Sequence, residues 1–387
     1  MLLKLSATSM ALLCFIASYS QGVDSVKKAP ATPDSPVAAA AKTPPPVTIT
    51  GSVDVYYRLN SGSGGSKYTN NYTSFTNSVN SFELGMASIR ADHSFGDVSA
   101  TVDLGFGRRA EEFSYNDGGH PSLFAVKQLF LAWQVSSKIK FTMGKWGTHI
   151  GYEVLDAYAN RNYSMDYMFS YGPFFNTGLK ADVTLSSTTA FMVGITNPTD
   201  FTTTGVPTKV GIAQISTTTK DSKWKFFLNY QGYGGVSAPV QLTPYYTLYK
   251  SLSQFDLVIN GTLSSKFGVG YNGTVQTIND GLSKSWWGSA VYLNFDPTTK
   301  FGLTLRAEYF GDKDGVKINP IDLQSDPKQT PGLNAVDFTL SGNVRIGNLT
   351  IIPEIRMDNG SKNFFYKSDG TTTQSTFSAL LAAVYKF

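Results

Sequence analysis

The strongest constraint in this sequence is an alternation of period two, held over segments of about ten residues and repeated along most of the chain. In "VSATVDLGF" (98–106), Val98, Ala100, Val102, Leu104 and Phe106 fall on one face, and Ser99, Thr101, Asp103 and Gly105 on the other. "KFGLTLRAEYF" (300–310) sets Phe301, Leu303, Leu305, Ala307 and Tyr309 against Thr304, Arg306 and Glu308. "LTIIPEIRM" (349–357) sets Leu349, Ile351, Pro353, Ile355 and Met357 against Thr350, Glu354 and Arg356. A helix would separate Arg306 from Glu308, whereas a strand puts both on one side. Segments 177–185, 224–230 and 335–346 follow the same rule.

The connections sort into two alternating kinds. Short ones fall at 94–97, 136–138, 186–188, 219–223, 264–266, 296–300 and 346–348. Long ones fall at 60–79, 108–122, 147–175, 198–206, 235–251, 278–284, 312–334 and 358–375. Together they predict about sixteen strands with both ends on the short-turn side. A soluble β-sandwich also alternates, but its strands run shorter and nothing in it sorts the loops by length. Charged residues are only 16% of the chain and aromatics 13%, with 36 glycines. No segment after the N-terminal one approaches the ~18 apolar residues of a membrane helix. The expected fold is therefore all-β: a transmembrane antiparallel up-and-down barrel with short periplasmic turns and long extracellular loops. A net charge of +4 is too small to imply nucleic acid.

Three segments follow from this reading. Residues 1–20, with Lys4, the apolar "MALLCFIA" and small residues at Ser18 and Ser20, read as a secretion signal cleaved before Gln21. Cys14, the only cysteine, leaves with it, so no disulfide, zinc-thiolate site or cysteine nucleophile is expected. Residues 21–46 are a Pro/Ala-rich periplasmic leader, and 47–387 the outer-membrane barrel of a Gram-negative cell. The last segment, "FSALLAAVYKF", puts Phe377, Ala379, Leu381, Ala383, Tyr385 and Phe387 on one apolar face. It resembles the terminal signature by which outer-membrane proteins reach the barrel-assembly machinery, with Phe387 as the end residue.

The strand faces opposite the lipid carry Asp54, Arg58, Arg90, Asp92, Asp103, Lys180, Asp182, Arg306, Glu308, Arg345, Glu354 and Arg356. An apolar core could not hold so many charges, so they are expected to line a solvated lumen. About sixteen strands close to a diameter that wall side chains cannot fill.

One stretch breaks the alternation: "GKWGTHIGYEVLDAYANRNYSMDYMFSYGPFFNTG" (144–178), rich in Tyr, Asn and Gly. Such a composition suits a loop packed against a polar wall with its backbone groups bonded. His149, Glu153, Asp156, Arg161 and Asp166 are the candidates for a pore constriction, facing wall arginines such as Arg58 and Arg90. An acidic loop opposite a basic wall would set a transverse field that filters ions. The alternative is a loop folded over the extracellular rim.

With "TGSVDVYYRLN" (50–60), "ASIRADHSFGDVSATVDLGFG" (87–107) and "KQLFLAWQVSSKIKFTMGKWGT" (127–148), this stretch resembles the putative β-barrel porin family with OmpL-like members, frequent in Bacteroidota outer membranes. The third long loop also matches in position the one that folds into the barrel in general porins. The resemblance implies a sixteen-stranded porin-type barrel and passive transport, and brings no catalytic residues or cofactor.

Catalysis finds little support in the residues. The histidines are His93, His120 and His149. Only His149 has serines nearby, Ser164 and Ser170, and neither sits in a nucleophile motif. "GSGGS" (62–66) lacks the lysine and helix of a phosphate cradle. "NDGGH" (116–120) and "DKDG" (312–315) lack the oxygen-ligand spacing of a calcium loop. The expected partners are outer-membrane lipid and small hydrophilic solutes, with a homotrimer left open. The competing reading is a barrel acting as adhesin or envelope scaffold through loops 312–334 and 358–375.

Overall fold

The computed structural model describes residues 45–62, 69–117, 120–318 and 332–387. The signal segment and nearly all of the leader lie outside the described residues, as do most of "GSGGS", two residues of "NDGGH" and the centre of loop 312–334.

Sixteen antiparallel strands form a closed barrel. β1 (Thr48–Asn60) pairs with β2 (Phe82–Phe95) on one side and with β20 (Ser375–Lys386) on the other, so the first and last strands seal the sheet. Gly51 and Phe387 complete the seam by exchanging backbone hydrogen bonds of 2.9 Å. Closure leaves no strand edge, which hydrocarbon demands because it offers no partner to a free peptide group. Two small hairpins, β10–β11 (Val240–Thr243 and Tyr246–Leu248) and β18–β19 (Phe365–Tyr366 and Thr372–Thr373), stand in the long loops outside the barrel order. Among the described residues no helix is long and apolar enough to cross a membrane.

The period-two faces are realised as read. On β20, Phe377, Leu381 and Tyr385 point outward with 45–55% exposure, while Thr376, Ser378, Leu380, Ala382 and Val384 are buried inside. All seven short turns fall at the expected places. One long loop does not. Strands β13 (Phe267–Asn279) and β14 (Ser283–Thr298) run on until only residues 280–282 join them. Gly281 takes φ +123° there, a conformation only glycine adopts freely, and its N–H donates to the Asn279 side chain.

The barrel's core lies mainly between the wall and chain that enters the lumen. Among the described residues, three of four apolar clusters contain residues of the segment 148–174, and the fourth, Trp146, Met192, Val210 and Ile212, lies between wall strands. Tyr167 and Met168 pack on Trp286, Tyr292 and Phe310; Leu155, Met165, Phe169 and Phe174 pack on Phe75, Met86 and Phe113. Ala157 and Tyr163 pack on Tyr56, Ile352, Leu380 and Val384. Each fully buried large side chain contributes on the order of 1.5–3 kcal/mol, so these contacts hold the segment firmly. The aromatic residues of the non-alternating stretch are its anchors.

Candidate functional site: the lumen and its inward loop

The loop 148–174 has no ladder of its own, and a buried backbone must find partners elsewhere. The wall supplies them with acidic and basic side chains. Glu354 accepts from the N–H groups of Tyr163 (2.7 Å) and Ser164 (3.1 Å). Glu308 accepts from Tyr167 (2.7 Å) and Met168 (2.8 Å), and Asp256 from Gly151 (3.0 Å). In the opposite sense, Arg306 donates to the carbonyl of Ser164 (2.7 Å) and Arg356 to that of Met165 (2.6 Å). Hydrogen bonds to charged groups are worth about 1.5–3 kcal/mol each, so this lattice fixes the path of the loop.

Arg306 is the hub. Its guanidinium also meets Glu153 of the loop and Asp337 of the wall, both at 2.7 Å, and Arg356 shares Asp337 at 2.9 Å. Asp166 caps the short helix α1 (Tyr167–Tyr171) by accepting from the Phe169 N–H at 2.6 Å and takes a hydrogen bond from the Tyr292 hydroxyl at 2.7 Å. Asp156 pairs with Lys127 at 2.5 Å, and Arg161 with Asp296 at 2.9 Å. Burial raises the Glu153 carboxyl above its usual range, with the nearby Asp166 adding to the rise and Arg306 opposing it. His149 is held neutral, its pKa lowered to about 4 by burial, and its Nε2 lies 2.9 Å from the Tyr230 carbonyl. Neither Ser164 nor Ser170 meets it; the Ser170 hydroxyl donates to the carbonyl of Asp166.

Three expectations about the lumen need correction. Arg58 does not oppose the loop's acids, whereas Arg90 borders a small cavity together with Glu153 and Asp156. Arg58 donates to the carbonyls of Thr69 and Asn70, and Arg90 to Asp92 at 2.7 Å. The wall is not simply basic either, because Glu308, Glu354 and Asp256 face the loop as acceptors. Nor are Arg306, Glu308, Glu354, Arg356 and Asp103 individually solvated: the loop covers them, and Asp103 lies under Lys127 at 3.1 Å. The loop leaves other charges of the lumen uncovered. Lys180, Asp182, Arg345, Arg90 and Asp92 are such residues, half-buried on the inward face.

Sequence reasoning missed Lys127, Asp256 and Tyr163. Lys127 sits at a bulge where Asp103 faces Gln128 and Leu104 faces Val126, so the extra residue escapes the alternation. Asp256 lay at an inward position of a plain strand, where alternation could have found it. Tyr163 is wholly buried and donates to Asp54 at 2.5 Å, a contact between residues 109 positions apart that no local pattern announces.

Beside the loop lies a cavity of about 210 Å³, bordered by β8 (Val210–Thr218), β9 (Trp224–Tyr233) and β12 (Ser251–Thr262) and also by Tyr292 and Asn294 of β14 and by Thr304. Tyr152, Asn160 and Arg161 of the loop and Gln214, Asn229 and Asn260 of the wall line it. The lining can exchange hydrogen bonds with a polar solute and holds few charges.

The model of the family described as putative beta-barrel porin-2, OmpL-like, matches residues 46–387. The chain belongs to that family. No curated protein matches this porin. Its fold is similar to OprB of Pseudomonas putida (TM-score 0.57, 11% identity, covering 88% of this chain and 94% of that one). It is similar also to an anion-selective porin from Comamonas acidovorans (0.56, 9%, 88% and 99%) and to the outer-membrane channel DcaP of Acinetobacter baumannii (0.54, 11%, 88% and 97%). Identities this low speak for the fold alone. Family and fold together make the protein a porin-type barrel of the Gram-negative outer membrane.

Proposed function

We propose that this porin lets small hydrophilic solutes and ions diffuse passively across the outer membrane, and that the segment 148–174 sets the width of the passage. The observation that carries this is a polar cavity left beside a loop fixed in place. The loop is bonded to the wall at Glu354 and Glu308 and also at Tyr230 and Asp256, and still leaves a cavity bordered by β8, β9, β12, β14 and Thr304. His149, Glu153, Asp156, Arg161 and Asp166 belong to this constriction in different capacities. Glu153 and Asp166 hold the loop in shape, Asp156 ties it to Lys127, and Arg161 and His149 border the open side. No step of the proposed work is chemical, and the chain is read as a channel rather than an enzyme. The outward apolar rows meet lipid, and Phe387 at the end of β20 serves recognition by the barrel-assembly machinery. One of the similar structures is a trimer form of OmpT of Vibrio cholerae, and a homotrimer is part of this reading. Reconstitution in a planar bilayer tests it: a stable stepwise conductance is expected, and a folded barrel that passes no current overturns it.

A further inference from the structure

The charges of the lumen are close to balanced in sequence, but burial sorts them by sign. The acids Glu308, Asp337, Glu354 and Asp358 of the wall lie under the loop, and with Glu153 and Asp166 of the loop itself they are buried and engaged by Arg306, Arg356, tyrosine hydroxyls and loop N–H groups. Of these six, Glu153 alone also borders the 210 Å³ cavity. What remains half-exposed toward the lumen, among the described residues, is mainly basic. Arg90, Lys140, Lys180 and Lys225 stand on one arc of the wall and Arg345 and Lys386 on another, with Arg161 reaching down from the loop. Asp92, Asp156, Asp182 and Asp296 are their only half-exposed acidic counterparts at that end.

The geometry of two clusters shows how the surplus arises. Asp182 is shared by Lys140 at 3.6 Å and Lys180 at 3.4 Å. Asp296 is shared by Arg161 at 2.9 Å and Arg345 at 2.8 Å. Two bases on one acid leave each cluster with a net positive charge. Both clusters lie close to the short turns, beside residues 137–138 and 299–300, and Arg161 itself borders the 210 Å³ cavity. A solute leaving the neutral, amide-lined part of the passage therefore enters a ring of positive potential, where low-dielectric walls focus the field.

We infer that the short-turn end of the lumen is an anion-attracting vestibule, and that the porin passes small anions in preference to cations of similar size. The inference rests on the diffusion reading above and names its preferred solute class. Reversal potentials of the reconstituted full chain across a potassium chloride gradient test it. Chloride is expected to be favoured over potassium by about two- to tenfold at ~0.1 M salt, and less at ~1 M, where the Debye length falls from about 10 to about 3 Å. The double variant Lys180→Gln, Arg345→Gln removes one base from each shared cluster and leaves one-to-one pairs. Its chloride preference should drop by about half or more while the open-channel conductance persists. An open native channel that favours potassium, or favours neither ion, overturns the inference and leaves the diffusion reading standing. So does a double variant with the native preference. A barrel that conducts nothing removes both.

Discussion

Arg306 shows what a single residue decides here. It is fully buried, bridges loop and wall, and has two carboxylates at 2.7 Å. A buried ion pair need not stabilise relative to an apolar replacement, but removing one partner strands the others without a counter-charge. Arg306→Gln would leave Glu153 without its arginine and Asp337 with Arg356 alone, and is expected to cost about 3–5 kcal/mol. Denaturant unfolding in detergent would measure it, and limited proteolysis should cut within 148–174 in the variant and not in the native protein. An unchanged midpoint with an uncut loop would show that aromatic packing alone seats the segment. The alternation made Arg306 legible as an inward residue. Its partners were not legible, because Glu153 lies 153 positions away and the pairing depends on how deep the loop descends.

At the scale of elements, strands and loop obey different rules. Strands here are written by a local code: alternate residues face alternate sides, so the segments 98–106, 300–310, 349–357 and β20 could be read with their faces assigned. That code also shows why 278–284 was misread as a long loop. Polar residues at Asn279, Asp280 and Ser283 ended the apparent strands early, while backbone pairing carries on through Asn279↔Ser283. The loop 148–174 follows no local code, since its shape is set by acceptors and donors spaced around the wall. Shortening its tip across Leu155–Asn162 removes the Arg161 contact and the Ala157 anchor while keeping the lattice at 163–168. Single-channel conductance is expected to rise by roughly two- to threefold, as for a constriction partly withdrawn from an aqueous bore. Unaltered conductance would place the limiting width elsewhere in the barrel.

For the whole molecule, lipid outside and a paved lumen inside are the two faces of one sheet. Leu305 points outward in mid-strand, directly beside the inward Thr304 and Arg306. Leu305→Arg puts a charge into hydrocarbon and should lower barrel stability by about 2–4 kcal/mol, against a change near zero for Thr304→Ser on the lumen side. Folding efficiency into lipid vesicles, read by heat-modifiable migration, distinguishes the two, and equal losses would contradict the assignment of faces. The sequence by itself determined the strand number, which residues meet lipid, and seven of the turns, because each is fixed by neighbours two residues apart or by turn chemistry. Only the tertiary structure decided which lumen charges stay in contact with water. Burial under the loop depends on contacts between residues far apart in the chain, and that sorting turns a nearly balanced set of charges into a basic vestibule.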